Sequence, residues 1–383
     1  MFPHYYNNLG CLHHIMKKPN LAVYYFKNAL DRLDAQEAAG GGHTSWVAQS
    51  QVLYNIGISL LHARRPAVAY ELLLEVVGAH YLDPHVWFHL AECCIMAHSP
   101  DTSNNEHAKE MSPGKPQFGV HKLITTNPAS GGYNTNEPGT VASLSLEFAY
   151  ICLKNAESLL PSTASQTEEQ GVFCEGLGYI GNPITWAEVE QLRVAVITAK
   201  AFTALSLHDY IPALHYAEQL LTITPLAGCY NLLAHLYAAE SLILQDRLSE
   251  AIGHLDPELV GAGSWEAGEG QSAAWHPASL DSAKQVVQYN LAVGFALRDE
   301  WDKASSLINQ LYKENQDVSV QVKTFIAVVN ITKTDCFIHS RCCYWFCMFQ
   351  SNKGMLIKQE KLLMIDVRMS ASTERKPELI KSK

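Results

Sequence analysis

Residues 6–30 read YNNLGCLHHIMKKPNLAVYYFKNAL, and the fold is decided here. The stretch predicts two short antiparallel helices. Gly10 and Ala22 are small because the helix axes cross within about 8–10 Å at their level, where a larger side chain would wedge the helices apart. We expect Phe26 to fill the gap toward the next pair of helices. One such pair cannot bury its own apolar stripe, so the sequence has to repeat itself.

The pattern does recur, and it is typical of tetratricopeptide repeats (TPRs). We predict an all-α, TPR-like helical solenoid of about six antiparallel helix pairs with long polar inserted loops. A non-repeating helical bundle is the alternative. The residues that mark the six pairs are Gly10, Ala22 and Phe26; Gly57, Ala69 and Leu73; Ala91, Ala149 and Leu153; Ala201, Ala213 and Ala217; Ala239, Ala251 and Leu255; and Ala292, Ala304 and Ile308.

Loop compositions rich in Asn, Ser, Thr, Gly and Pro divide the repeats. The predicted order is repeats one to three over 5–98, ending with the first helix of the third; a flexible insertion over 99–142; the second helix of the third repeat over 143–160; a polar loop over 161–184; repeats four and five over 185–256; a Gly-rich loop over 257–280; repeat six and the start of a seventh over 281–330; and a divergent, poorly ordered tail over 331–383. No polar capping repeat precedes the first pair, so we expect an N-terminus truncated relative to a longer parent.

Composition and charge narrow the class of protein. Apolar residues make up 48% of the 383-residue chain, enough for a sizeable core, and no apolar run approaches the roughly 20 residues that span a bilayer. The 10 cysteines are too sparse for a disulfide scaffold, so we expect reduced thiols in a soluble intracellular protein. Residues 1–330 carry a net charge of −15 and residues 331–383 one of +5. An acidic body disfavours direct nucleic-acid binding.

Two motifs invite a chemical interpretation. Gly176, Gly178 and Gly181 match the spacing of the dinucleotide-binding fingerprint, but that fingerprint needs a buried strand before it and a helix after it, so a glycine-rich loop is the preferred interpretation. The tail carries a second cluster, which either binds zinc or is an irrelevant segment, since zinc sites have two separated ligand pairs. Its members are Cys336, His339, Cys342, Cys343 and Cys347.

The remaining candidates point to packing rather than catalysis. Cys93 and Cys94 are adjacent on a helix and predict core thiols. Tyr25 and Tyr216 either face a partner-binding groove or complete the core. Histidines within the helical pattern predict packed or capped side chains, and these are His13, His14, His62, His89, His215 and His235. No catalytic motif is present, so we predict no catalytic, cofactor-binding or metal-binding residue, no cofactor and no enzymatic activity. The protein-binding residues are not identified by the sequence.

Several runs go beyond the general repeat pattern. They are residues 6–11, 24–27 and 29–30; residues 55–57, 60–62 and 65–66; Trp87 with residues 90–95; residues 181–183; residues 235–240; and residues 290–291. Over roughly residues 5–330 the chain resembles the subunit-ten family of the CCR–NOT deadenylase complex. That family extends further on the N-terminal side, and its pattern is lost after about Asn330.

The resemblance implies a non-enzymatic scaffold in the cytoplasm and nucleus. It implies binding to subunit eleven and to the N-terminal region of the large NOT scaffold subunit, and roles in transcription, mRNA deadenylation and decay, translational repression and RNA-mediated silencing. It implies no nucleic-acid or membrane partner. A generic TPR adaptor, such as a chaperone-tail clamp, is the alternative, although 18 basic residues spread over 330 positions do not predict a basic groove. An enzyme or RNA-binding protein is disfavoured by the absent catalytic motifs and the acidic body.

Overall fold

The computed structural model describes residues 3–38, 45–98, 143–161, 180, 185–262 and 280–314. Within these ranges the regular elements are twelve α-helices and one short 3-10 helix. The all-α prediction is therefore confirmed. Four features predicted from the sequence lie outside the described residues: the insertion at 99–142, the glycine triplet around residue 178, the seventh-repeat helix and the tail cysteines.

The helices are numbered in chain order. They are α1 (Pro3–Ile15), α2 (Pro19–Ala38), α3 (Ser45–His62), α4 (Pro66–His80), α5 (Pro84–Ala97), α6 (Leu146–Leu159), α7 (Trp186–Ser206), α8 (Tyr210–Leu221), α9 (Gly228–Ile243), α10 (Leu248–His254), α11 (Leu280–Leu297) and α12 (Trp301–Glu314). The 3-10 helix, Leu259–Ala262, occupies the start of the predicted Gly-rich loop. The domain boundaries proposed from the sequence stay predictions.

Consecutive helices pack as antiparallel pairs, and each pair packs on the next within its unit of the chain. The pairs α1–α2, α3–α4, α5–α6, α9–α10 and α11–α12 are in direct contact, as are α2–α3, α4–α5 and α8–α9. Side chains of α7, α8 and α9 share one apolar cluster, in which Ile197 meets Leu220 and Ala234. The predicted TPR-like arrangement of about six pairs is confirmed.

The small residues of the first helices lie against large side chains of the second. A Cβ atom added to Gly10 would lie 2.5 Å from Cε1 of Phe26, and one added to Gly57 would lie 2.8 Å from Cγ of Leu73. Phe26 therefore packs on the glycine of its own pair, whereas the sequence predicted that it would fill the gap toward the next. Gly10 and Gly57 are required for this close approach of the two helices.

The turn between the two helices of a pair has a recurring geometry. A left-handed residue stands seven positions after the small residue in five of the six pairs, and these residues are Lys17 (φ 58°), Arg64 (φ 60°), His208 (φ 62°), Asp246 (φ 59°) and Asp299 (φ 61°). At each turn the next N–H donates to a carbonyl five residues back, as from Arg65 to Leu60 at 3.0 Å. This is the Schellman arrangement for ending a helix. The third pair differs, because His98 at the same position has a φ of −87°.

Local capping explains where several helices begin. Pro66 and Pro84 occupy the first turn of α4 and α5, where a missing N–H breaks no intrahelical bond. The Asp83 carboxylate accepts a hydrogen bond from the backbone N–H of His85 at 2.9 Å and caps α5. The Ser145 hydroxyl accepts one from the N–H of Phe148 and caps α6.

The chain divides into two compact units at Leu192–Arg193, within α7. The core of the first unit includes the fully buried Phe26, Phe88 and Leu153. In the second unit, Ile308 of α12 packs with Ala292 of α11 in one apolar cluster. Each unit is built from the same helical pair, so the repeat supplies both cores.

Candidate functional surface

The first helix and the turn that follows it carry an exposed apolar stripe, called here the α1 face and made of Tyr5, Leu9, Leu12 and Met16. Tyr5 is 53% exposed, Leu12 51% and Met16 49%, while Leu9 is half-buried. The spacing of four, three and four residues places all four side chains on one side of the helix. Together they form an apolar strip along one side of α1 that the described residues leave partly exposed.

The charge around the α1 face differs from that of the body. No Asp or Glu occurs in residues 1–30, which contain Lys17, Lys18 and Lys27. Lys17 and Lys18 are exposed in the turn directly after Met16. The apolar stripe therefore ends at a basic edge in a chain whose body is otherwise acidic.

Buried polar contacts connect the first helices of consecutive pairs. The Nδ2 of Asn55 in α3 donates a hydrogen bond to Oδ1 of Asn7 in α1 at 2.9 Å. The Nδ1 of His14 lies 3.1 Å from the hydroxyl of Ser59, and the His14 ring meets the ring of His62 edge-on. These contacts lie inside the helix layer, so they fix how α1 sits on α3 rather than forming an open site.

The start of α5 contains a second buried polar cluster. Besides capping α5, Asp83 accepts a hydrogen bond from the N–H of Ile180 at 2.8 Å through its other oxygen. Within α5, Nδ1 of His89 lies 2.5 Å from Oε2 of Glu92, and both residues are almost fully buried. Burial lowers the pKa of His89, because a charged ring would lose its hydration there.

The second unit buries two titratable groups on α9. The Nδ1 of His235 lies 3.2 Å from Nδ1 of His254 in α10. Burial, and then the neighbouring His254, lower the pKa of His235 to about 4. Burial raises the pKa of the Glu240 carboxyl to about 7. The fold therefore favours a neutral His235 and a protonated Glu240.

The two tyrosines singled out in the sequence contact other helices of their own pairs. Tyr25 is half-buried, and its ring is stacked on that of His13 at 4.9 Å between centroids. Tyr216 is half-buried, and Nζ of Lys200 lies 4.0 Å from its ring centroid. Both rings thus help to hold a first helix against a second.

The other sequence candidates stand singly, and not all of them are packed. Cys93 and Cys94 are fully buried, and burial raises the pKa of the Cys94 thiol to about 12. His215 is exposed on α8, where its ring contacts that of the adjacent Tyr216, so the packed side chain that the sequence predicted is not found there. Over the described ranges no three His, Cys, Asp or Glu side chains are grouped so that they would hold a metal ion.

Sequence reasoning missed the buried acidic residues Glu92 and Glu240. A signal was present, because each follows the small residue of its first helix, in Leu90–Glu92 and in Ala238–Glu240. An acidic side chain inside such an apolar run indicates burial rather than solvation. In the described part of the chain, no helix has the length and apolar character needed to cross a bilayer.

Helical pairs that cross at Gly and Ala and stack on one another define a protein of the tetratricopeptide-repeat class, whose stacked helices present extended binding surfaces. Residues 191–271 and 262–332 match the model of the CNOT10 tetratricopeptide repeat domain. Within its class, this part of the chain is similar to subunit 10 of the CCR4-NOT transcription complex, as the sequence resemblance predicted.

Named proteins show the same similarity over more of the chain. The chain is 34% identical over 374 residues to CCR4-NOT transcription complex subunit 10-A of Xenopus laevis, covering 80% of this chain and 50% of that protein. It is 32% identical to subunit 10 of Danio rerio, covering 60% of that protein, and 30% identical to subunit 10 of Drosophila melanogaster, covering 49%. The chain thus spans about half the length of the curated relatives it matches.

A solved structure, the crystal structure of the apo form of RapI, aligns with 94% of this chain and 79% of its own. The TM-score is 0.46 and the sequence identity is 12%. A likeness of this degree supports no conclusion about fold or function.

Proposed function

We propose that this protein is a non-enzymatic scaffold subunit of the CCR4-NOT deadenylase complex. The observation that carries the proposal is the similarity to the subunit 10 proteins, which runs over 80% of the chain. Stacked helical pairs suit a scaffold, because a preformed surface lets many modest contacts add up without a large ordering cost. In this role the protein contributes to mRNA deadenylation and decay, translational repression and RNA-mediated silencing in the cytoplasm and nucleus.

The proposed partners are subunit eleven and the N-terminal region of the large NOT scaffold subunit. The described residues offer buried, mutually packed polar groups rather than an accessible constellation of nucleophile, base and orienting group. The net charge of −15 over residues 1–330 supports contacts with proteins rather than with RNA.

The direct test is a pull-down with the full chain as bait and with purified subunit eleven and the purified NOT N-terminal region as prey, singly and together. An unrelated TPR protein serves as the control bait. We expect retention of at least one prey through a wash at moderate salt. If circular dichroism shows a helical bait and neither prey is retained, the proposed partners are wrong, and a generic TPR adaptor becomes the better description.

A second test measures function in cells. The chain is tethered to a reporter mRNA, and the length of the poly(A) tail is followed over time. A scaffold of the deadenylase complex accelerates tail shortening, and the acceleration disappears when the catalytic subunits are depleted. Unchanged shortening would contradict the proposed role in deadenylation.

A further inference from the structure

His235 on α9 and His254 on α10 have the geometry of two ligands of one metal ion. Their Nδ1 atoms lie 3.2 Å apart, and their rings are tilted by 49° with the centroids 5.4 Å apart. Two imidazole nitrogens that bind one tetrahedral ion, each about 2.0–2.1 Å from it, lie about 3.3–3.4 Å from each other. An ion beside the line between the two Nδ1 atoms would therefore reach both of them with almost no movement of either ring.

Three other histidines turn Nδ1 toward an oxygen atom instead. Their oxygen partners are the hydroxyl of Ser59 for His14, the carboxylate of Asp83 for His85 and the carboxylate of Glu92 for His89. A ring nitrogen that bonds such an oxygen does not face a second ligand nitrogen. At His235 and His254 the two Nδ1 atoms face each other, and the space beside them is shared.

Both rings are held in the form that binds metal. A metal ion needs the neutral imidazole, because the proton of a charged ring occupies the ligand position. Burial, and then the neighbouring His254, lower the pKa of His235. Burial also lowers the pKa of His254, and the carboxylates of Glu218 and Glu250 offset this only in part. Both imidazoles are therefore neutral at pH 7 and above.

The surface around His254 suits the entry of a cation. His254 is half-buried, while Gly253 and Glu250 on the same helix are exposed. Glu250 stands four residues before His254 and forms an ion pair with Arg247 at 2.6 Å. The carboxylate of Glu218 acts on His254 from α8. Two carboxylates and one guanidinium thus leave these surroundings net negative, which favours a positive ion.

We propose that His235 and His254 bind a divalent transition-metal ion through their Nδ1 atoms, and that the ion joins α9 to α10. Imidazole ligands suit Zn²⁺, Cu²⁺ or Ni²⁺, whereas Ca²⁺ and Mg²⁺ take oxygen ligands. The described residues group no three metal-ligating side chains, so solvent completes the coordination shell. The sequence predicted no metal-binding residue, because 19 positions separate the two histidines. The site is additional to the proposed scaffold role and does not depend on it.

The test is a titration of the full chain, freed of metal with a chelator, with Zn²⁺ by isothermal titration calorimetry at neutral pH. His235→Gln and His254→Gln keep a polar side chain without the imidazole ligand, and each should bind one equivalent of Zn²⁺ fewer than the parent. His215→Gln is the matched control, because His215 is an exposed histidine on α8. The control should bind as many equivalents as the parent, and Ca²⁺ should not bind at the two histidines.

Thermal melts separate metal binding from a purely structural role. An ion that binds only the folded pair stabilises it, so Zn²⁺ should raise the melting temperature of the parent and of His215→Gln relative to melts in chelator. The rise should be smaller in His235→Gln and in His254→Gln. The variant His254→Cys supplies a thiolate ligand in place of the imidazole. Co²⁺ should therefore still bind it, with a near-ultraviolet charge-transfer absorption stronger than that of the parent.

Four results would overturn the proposal. One is an unchanged number of Zn²⁺ equivalents in His254→Gln, and another is an equal rise in melting temperature for the parent and His235→Gln. A third is equal binding of Ca²⁺, which would assign the ion to oxygen ligands. The fourth is a loss of the same equivalent in His215→Gln, which would assign it to exposed histidines. If His235→Gln does not fold, His254→Gln decides the test, because its ring is only half-buried.

Discussion

The Nδ1 atoms of His235 and His254 lie 3.2 Å apart across the contact between α9 and α10. At this distance one neutral imidazole donates its N–H to the other ring, so the two Nδ1 atoms share one proton. A second proton would place two positive charges side by side in a half-buried setting. The contact therefore links the packing of these helices to pH.

We expect acidification to destabilise the second unit through His235. Its pKa is about 4 in the fold against an ordinary 6.5, so the unfolded chain binds a proton first as the pH falls. The stabilisation is complete above about pH 6.5 and is lost as the pH falls toward 4, by roughly 1–3 kcal/mol. Chemical denaturation over this range should show a shallower decline for His235→Gln than for the parent. His215→Gln, on the exposed side of α8, should decline as the parent does, and an equally steep decline in His235→Gln would contradict the assignment.

The titration of Glu240 should destabilise the second unit as the pH rises, which is the opposite of the effect expected for His235. Burial raises its pKa to about 7 from an ordinary 4.5, so its contribution is favourable at low pH and is lost as the pH rises from about 4.5 through 7. The substitution Glu240→Gln keeps the shape without the charge and should raise stability at pH 8 by roughly 1–3 kcal/mol, with little change at pH 4.5. Thermal melts at the two pH values measure this. The exposed Glu258→Gln is the control, and equal effects of Glu240→Gln at both pH values would exclude a titrating carboxylate.

Adding one methyl group should lower the stability of the protein at Gly57, where the two helices approach closely, and raise it at Gly78. Gly57→Ala places its Cβ 2.8 Å from two atoms of the fully buried Leu73, and overpacking of this kind costs about 1–3 kcal/mol. Gly78→Ala, with nothing within 4 Å of the added Cβ, should stabilise α4 by about 0.5–1 kcal/mol. Denaturant titrations of both variants provide the comparison. A stabilising Gly57→Ala would mean that the two helices are free to separate.

The buried hydrogen bond between Asn55 and Asn7 should contribute more to the free energy of unfolding than a hydrogen bond on the surface does. Removing either amide leaves a buried polar partner without that bond, at a cost of about 1–3 kcal/mol. A double-mutant cycle with Asn7→Ala and Asn55→Ala should give a coupling of about 0.5–3 kcal/mol. Asn28→Ala is the control, because Asn28 bonds the Tyr24 carbonyl on the exposed side of α2, and it should change stability by less than about 0.5 kcal/mol. Additive single effects would show that the two amides act separately.

Glycine at a left-handed turn position should stabilise the protein by removing backbone strain. Arg64 has a φ of 60°, which is strained for a residue with a Cβ. We expect Arg64→Gly to raise the free energy of unfolding by roughly 0.5–1 kcal/mol. Ala67→Gly, three residues on and inside α4, should lower it by a similar amount. Melting temperatures of the two variants report the sign, and a destabilising Arg64→Gly would show that the side chain of Arg64 contributes more than its backbone strain costs.

The sequence predicted the helical pairs because the signal is local. Gly10 and Phe26 are sixteen residues apart, as are Gly57 and Leu73. In both cases the two residues belong to the same pair of helices. The resemblance to the subunit 10 family was likewise readable from short runs and is confirmed by the named relatives.

Contacts between pairs were not predictable in the same way. Asn7 and Asn55 are separated by 48 positions, and nothing in either amide indicates the other. The turn residues were also hidden, because Lys17, Arg64 and Asp246 are not the Gly or Asn that a left-handed position favours. In both cases tertiary packing overrides local preference.

The altered turn of the third pair, after α5, is the position where additional polypeptide can be inserted with the least disturbance of a helix end. In the other five pairs the backbone must reverse within a few residues through a strained conformation, so extra chain there would undo the cap of the first helix. At His98 the backbone leaves α5 in an ordinary helical conformation, and α6 still packs on α5 although residues 98–145 lie between them. An affinity tag or a fluorescent reporter introduced after α5 should therefore leave the stacked helices intact.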